Sequence, residues 1–270
     1  MCELLAMSSR QATRLTFSLE ALSSHSAAPG VSRDGWGVAY YQGNDVALFR
    51  ELGAASDSPL IRYLESQGPE TTLAISHIRH ATQGALSLAN TQPFLREYAG
   101  ATHAFAHNGN LVGIEQSGLQ LAGRYRPVGS TDSELAFCAL LELLSQARGR
   151  SRQQPSLEER LDLVAAFAAQ LRPLGPANFL YADGDALFAH GHRRIQPSTG
   201  SIAPPGLHVL SRHCALAQPS VDGLGVSVAG GFQQVTLVAS VALSAEGWRP
   251  LAEGEIIALC AGELRGSRQV

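Results

Sequence analysis

Apolar and polar positions change period several times along the chain, and each change marks an element. Residues 2–7 form a short apolar run that reads as a buried strand, and Thr13 to Ser24 carries a mixed pattern compatible with a helix. Two strand-like runs around Gly43 and Asn44 predict a hairpin, and Ser58 followed by Pro59 predicts a helix to about Gln67. TTLAISHIR and GATHAFAHNGN run apolar into polar, glycine-containing ends, as strands do where they leave a sheet. Thr131 with Glu134, and Ser156 with Glu159, have the spacing of capping boxes that open helices to about Leu144 and Leu171, separated by a solvated loop. NFLYADGDALFAH predicts an Asp-Gly hairpin, and GLHVLSR, QQVTLVASVAL and EIIALCAGEL predict further strands. No repeat and no low-complexity linker interrupts the 270 residues, so one domain over 1–270 with α+β layering is expected.

Composition narrows the function classes. The chain is 45% hydrophobic and 16% charged, enough apolar side chain for a sizeable core. Its formal charge is −3, and the basic residues are scattered apart from a cluster at Arg148 to Arg152, which gives no footprint for nucleic acid or an anionic membrane. The N-terminus carries no basic leader followed by an apolar stretch, and no run of apolar residues reaches membrane-spanning length, so a cytoplasmic protein acting on a small polar substrate is expected. The four cysteines lie far apart, which fits a reducing compartment and not a disulfide framework.

The chemistry begins at Cys2. Removal of Met1 would leave a thiol and an α-amine on one residue, nucleophile and base together, since the amine titrates at about 8 and the thiol at about 8.5. In isolation, a cysteine after Met1 is more often merely a small apolar residue of the first strand. Its partners would come from three strand or helix ends. Asn108 and Gly109 offer a side-chain NH₂ and a backbone N–H to an oxyanion, although Asn-Gly alone more often means a turn. Arg79 could grip a carboxylate with its planar fork or form a surface salt bridge, and Asp132 could bind an ammonium or merely complement the dipole of its helix.

These clusters, in this order after Met-Cys, resemble the class II glutamine amidotransferases. The resemblance implies a four-layer αββα sandwich of two antiparallel sheets, the Ntn-hydrolase fold. It also implies that Cys2 is the nucleophile, that Arg79 to Thr82 is the glutamine-binding loop, that Asn108 and Gly109 form the oxyanion hole, and that Asp132 binds the substrate ammonium. The short chain and the DGWG at Asp34 to Gly37 look most like the small stand-alone YafJ-type branch. His80 stands where ammonia-channelling synthases often place an aromatic residue, so channelling within this chain is not expected, and His80 reads as a wall of the pocket. The implied activity is cleavage of the γ-amide of glutamine or a γ-glutamyl compound through a thioester, with no metal or organic cofactor. A separate synthase could accept the ammonia, and the alternative is a glutamine-sensing module without turnover.

Other residues attract weaker readings. His77, His80, His103, His107, His190 and His192 could suggest zinc, but nearby cysteine or carboxylate ligands at zinc spacing are missing, so ordinary hydrogen-bonded histidines are expected. Cys138 and Cys260 read as inert core thiols. Trp36 could wall the pocket or sit in the core, and residues 83–96 and 185–206 read as loops that would shape the leaving-group side.

Overall fold

The computed structural model describes residues 2–16, 34–80, 84–119, 121–149, 154–214, 227–228 and 233–270. Its strands are β1 (Glu3–Thr16), β2 (Gly35–Gln42), β3 (Asp45–Glu51), β4 (Glu70–Arg79), β5 (Phe94–Tyr98), β6 (Ala101–Gly109), β7 (Ala177–Ala182) and β8 (Leu187–His190). They continue as β9 (Arg194–Ile195), β10 (Ile202–Ala203), β11 (His208–Cys214), β12 (Ser227–Val228), β13 (Gln233–Ala239), β14 (Arg249–Pro250), β15 (Glu255–Cys260) and β16 (Glu263–Gln269). The α-helices among the described residues are α1 (Pro59–Gln67), α2 (Asp132–Arg148) and α3 (Leu157–Leu171).

These strands form two large antiparallel sheets and a separate two-stranded pair, β9 with β10. The first runs β14-β11-β13-β1-β4-β2-β3, with β12 on the far part of β1, and the second runs β16-β15-β8-β7-β6-β5. Side-chain alternation assigns their faces. Leu4 and Ala6 of β1, Ile75 of β4, Ala104 and Ala106 of β6, Leu180 of β7 and Ile257 of β15 meet in one cluster between the sheets. The opposite face of the first sheet, with Leu5, Met7, Trp36 and Ile78, packs on Ile61 and Leu64 of α1. The opposite face of the second, with Phe105, Phe179 and Phe188, packs on Phe137 of α2 and Phe167 of α3. The layers are therefore α1, sheet, sheet, then α2 with α3: an α+β, four-layer αββα sandwich. Truncating a fully buried member of the middle layer, such as Leu180→Ala, would cost about 2–5 kcal/mol.

Several expectations are met where local chemistry decides them. The Ser58 hydroxyl accepts from the Ile61 N–H at 3.1 Å and α1 ends at Gln67. Ser156 and Glu159 close a full capping box at the start of α3. Others are corrected by tertiary contacts. Thr13 to Thr16 belong to β1, because after an irregularity Thr13 and Arg14 resume pairing with Thr71 and Glu70 while Leu15 and Thr16 pair with β12; the rest of the expected helix, 17–24, lies outside the described residues. The box at α2 is half made: Thr131 accepts from the Glu134 N–H, but the Glu134 carboxylate turns to the N–H groups of Val128 and Gly129 and to Arg96. α2 also runs on to Arg148, past the expected end at Leu144. The segments 83–96 and 185–206 are not simply loops, since they contribute to β5, β8, β9 and β10.

Trp36 is fully buried and packs in the core on the α1 side. Cys138 is buried in α2, where burial pushes its thiol up to about 11. Cys260 departs from expectation: it ends β15 half-buried, its thiol donating to the Asp185 carbonyl at 3.3 Å.

Candidate active site

Three strands deliver the candidate residues to one end of the sandwich, on the faces that look across the gap between the sheets. Cys2 shares the parity of Leu4 and Ala6, Arg79 that of Leu73 and Ile75, and Asn108 that of Ala104 and Ala106. β1 and β4 pair Glu3 with Ile78, so continuing that register sets Cys2 level with Arg79. The sequence achieves this with ordinary apolar strands; the polar residues simply fall where the strands run out of core.

Cys2 is fixed by the residue after Arg79. Its Sγ accepts the His80 backbone N–H at 3.2 Å, and the thiol donates to the His80 carbonyl, 3.3 Å away. Burial pushes the thiol above its ordinary value, and the His80 N–H opposes that rise by stabilising the thiolate. From the other sheet, the Asn108 side-chain NH₂ donates to the Cys2 carbonyl oxygen at 2.5 Å. Asn108 and Gly109 form no turn: they are in register with Asn178 and Ala177 of β7. A Cβ on Gly109 would lie 1.7 Å from the Pro176 carbonyl oxygen, so only glycine permits this approach, while its own backbone faces solvent.

Arg79 is buried, and its Nη2 donates to the Gly84 carbonyl at 3.2 Å, tying the strand end to the loop beyond it. Thr82 lies outside the described residues, as does Met1. The His80 ring stands 4.0 Å from the Asp34 carboxylate, at the edge of the site.

Asp132 opens α2 one residue after the Thr131 cap. One carboxylate oxygen accepts from the Leu111 N–H at 2.7 Å, the other from the Ser133 N–H at 2.8 Å. Leu111 lies two residues beyond Gly109, so this bond joins the helix to the end of β6. The neighbouring Ser133 Oγ is 2.8 Å from His107 Nδ1, and His107 Nε2 is 3.2 Å from the Pro176 carbonyl. Because a carbonyl can only accept, Nε2 carries the proton and the serine hydroxyl donates to Nδ1. Burial holds His107 below its ordinary value, against the pull of the Asp132 carboxylate. Beside Asp132 opens a cavity of about 410 Å³, walled by Asn110, Leu111, Ile114, Pro127 and Leu135 among others.

Contact therefore joins Cys2, His80 and Asn108 directly, and Asp132 reaches the Asn108-Gly109 segment through Leu111. Sequence reading missed several groups that hold these in place. Gln92 brackets the His107 backbone, donating to its carbonyl at 3.1 Å and accepting its N–H at 2.6 Å. Asn178, fully buried, donates to the Asn108 carbonyl at 3.1 Å. Glu3, beside the nucleophile candidate, makes a buried ion pair with Arg194. A carboxylate in the apolar run CELLAM and an asparagine in NFLYA were the available signals, since polar groups inside buried strands must be satisfied.

Among the candidate zinc histidines, three are engaged elsewhere: His103 Nδ1 meets the Tyr181 hydroxyl at 2.7 Å, His190 Nδ1 donates to the Ala177 carbonyl at 2.7 Å, and His192 Nδ1 accepts from the Ala177 N–H at 3.3 Å. Among the described residues, no three metal-ligating side chains gather. No helix among them is long and apolar enough to cross a membrane.

The layered sheets, with a strand-end cysteine facing across the gap between them, define the fold class as Ntn-type. The profile of the class-II glutamine amidotransferases matches residues 1–270, and the chain belongs to that family. It is 31% identical to YafJ of Escherichia coli (strain K12), by name a candidate glutamine amidotransferase, over 269 residues that cover 97% of this chain and 99% of YafJ. A similarly named protein of Haemophilus influenzae is 35% identical over 190 residues, 70% of this chain and 63% of its own length. Among solved structures, a predicted glutamine amidotransferase from Pseudomonas aeruginosa superposes with a TM-score of 0.70 at 28% identity, covering 98% of this chain and all of that one.

Proposed function

We propose that the chain is a cysteine amidohydrolase that cleaves the γ-amide of glutamine or of a γ-glutamyl compound. Loss of Met1 frees the Cys2 α-amine, which takes the thiol proton directly or through a water. The thiolate attacks the γ-carbonyl, the Asn108 side chain and the Gly109 N–H receive the oxyanion, and the amine departs with a proton. Water, activated by the same α-amine, then hydrolyses the γ-glutamyl thioester to glutamate and restores the thiol. Arg79 and Thr82 hold the α-carboxylate, Asp132 the α-ammonium, and His80 both walls the pocket and offers its N–H to the sulfur. The chain acts as one domain in the reducing cytoplasm. The ammonia or amine leaves to water or to a separate synthase.

The observation that carries this reading is the convergence on Cys2: a backbone donor on its sulfur from one sheet and the Asn108 amide on its carbonyl from the other. An intact-mass measurement before and after exposure to a glutamine-analogue diazoketone tests it. The expected result is loss of Met1 and one adduct on Cys2. Retained Met1 with no adduct overturns the mechanism, and glutamine binding without adduct or turnover would identify a sensing module instead. Competition between glutamine and γ-glutamyl peptides for the adduct then ranks the leaving groups.

A further inference from the structure

Cys2 and Asn108 come from different sheets, so their relative placement depends on whatever fixes one sheet end against the other. One short segment, His192 to Arg194, holds both. On the Asn108 side, the Asn178 side chain donates to the Asn108 carbonyl at 3.1 Å and to the Arg193 carbonyl at 2.7 Å, while its oxygen accepts the His192 N–H at 2.8 Å. A Cβ on Gly206 would come within 1.6 Å of that same Asn178 oxygen, so the chain closes over the amide and leaves it one orientation. On the Cys2 side, Arg194 reaches the residue after the nucleophile candidate. Its Nη2 meets the Glu3 carboxylate at 2.8 Å, with the two side chains 4% and 0% exposed, and its Nη1 donates to the Ser240 carbonyl. Ser240 closes the circuit, since its hydroxyl accepts the Leu4 N–H at 3.0 Å and its own N–H donates to the Leu4 carbonyl at 3.0 Å.

A buried ion pair is an expensive way to stabilise a fold, because well-packed apolar residues of equal volume do as well or better. What it supplies that a hydrophobic pair does not is direction. We propose that Asn178, Arg194 and Glu3 are positioning residues forming a brace from the second sheet through residues 192–194 to the start of β1, and that this brace sets the Cys2 thiol against the Asn108 donor. The proposal rests on Cys2 as nucleophile and Asn108 as oxyanion donor. None of the three residues need touch substrate; each acts through the placement of another.

Kinetics of four variants test it with glutamine as substrate. Glu3→Asp keeps the charge and withdraws the carboxylate by one methylene, and a displacement of the order of 1 Å can cost about 10²-fold in rate. The expected result is a fall in kcat of about 10- to 100-fold with KM within about threefold, the melting temperature falling little. Arg194→Lys should retain part of the activity that Arg194→Met loses. The double variant Glu3→Met with Arg194→Met removes both charges, so it should recover thermal stability relative to Arg194→Met while kcat stays low. Recovery of kcat together with stability in the double variant, or wild-type kcat in Glu3→Asp, would overturn the proposal and leave the pair a structural one. Labelling by a glutamine-analogue diazoketone separates the two levels: slower labelling in the brace variants supports positioning, whereas absence of labelling in the wild-type protein would sink the underlying mechanism.

Discussion

The sandwich has a polar cluster and a cavity at each end, and the two differ in how their charges are satisfied. At the end away from Cys2, a cavity of about 420 Å³ is lined by Tyr98, His103, Arg160, Tyr181 and Asp183 among others. There Arg160 is shared between Asp183 at 2.6 Å and Asp185 at 2.5 Å, and the Asp183 carboxylate also accepts the N–H groups of Asp185 and Ala186. Every charge named has a protein counter-charge. At the Cys2 end, Asp132 is oriented by backbone N–H groups and has no salt-bridge partner among the described residues. A carboxylate held in place by neutral donors still has its charge to offer a ligand, whereas one already paired with an arginine does not. The lesson is that cavity size does not separate the two ends, but the state of their charges does.

The harshest way to break that comparison is to remove the thiol. Cys2→Ala should lower glutaminase turnover by at least about 10³-fold while the thermal melt stays close to wild type, since a single nucleophile commonly accounts for that much or more. Retained turnover would strip the Cys2 end of its assigned role. Next comes a matched pair of carboxylate changes. Asp132→Asn should lower kcat/KM for glutamine by about 10- to 100-fold, the equivalent of one lost charge-assisted hydrogen bond, chiefly through KM. Asp183→Asn should leave kcat/KM within about twofold and instead cost about 3 kcal/mol in urea unfolding, because the Arg160 charge is then only partly compensated. If the two variants exchange phenotypes, the far cavity is the working one.

A third expectation concerns acid. Burial lowers His77 and His190 to about 3, and among the described residues neither His77 nitrogen has a hydrogen-bond partner. Both are neutral when folded and protonate near 6.5 when unfolded, so the unfolded chain binds more protons below that value. Stability should therefore be full above about pH 6.5 and fall steadily as the pH drops towards 3. Urea midpoints measured from pH 7 to 4 check this, and turnover measured alongside sharpens it. Activity that disappears before the midpoint shifts belongs to titration of the site; activity that follows the midpoint belongs to the core histidines.

What was legible in the sequence follows the range of the forces involved. Ser58-Pro59, the Ser156 box and the Asp-Gly hairpin were readable because each is decided within four residues. The candidate residues Cys2, Arg79, Asn108, Gly109 and Asp132 were readable as strand and helix ends, and the structure carries the first four to one end of the sandwich with Asp132 linked through Leu111. The four-layer architecture came from family resemblance, since periodicity alone says which residues are buried and not which sheet covers them. Thr13 to Thr16 misread as helix because pairing with β4 across an irregularity, and then with β12, outweighed a local pattern. Glu3, Asn178 and Arg194 were overlooked for a different reason. Their meaning lies in partners up to 191 residues away, and a polar residue in an apolar run announces that a partner exists without saying where.

The smallest expected effect compares two helix caps that obey the same local rule. Thr131 and Ser156 each accept an N–H from the third residue of their helix, at 3.3 Å in both cases. Replacing either by Ala should cost about 1 kcal/mol, which for a chain of this size is about 2–4 °C in melting temperature. Their consequences for chemistry should differ. Ser156 starts α3 on the surface, so Ser156→Ala should leave kcat and KM unchanged. Thr131 fixes the turn that aims Asp132, and with the Glu134 carboxylate committed to Val128, Gly129 and Arg96, no reciprocal bond remains to hold that turn. Thr131→Ala should therefore raise KM for glutamine by about two- to threefold at unchanged kcat. Equal kinetics in the two variants would mean that Asp132 is held by Leu111 and Ser133 alone, and that the cap contributes to the fold and nothing to the site.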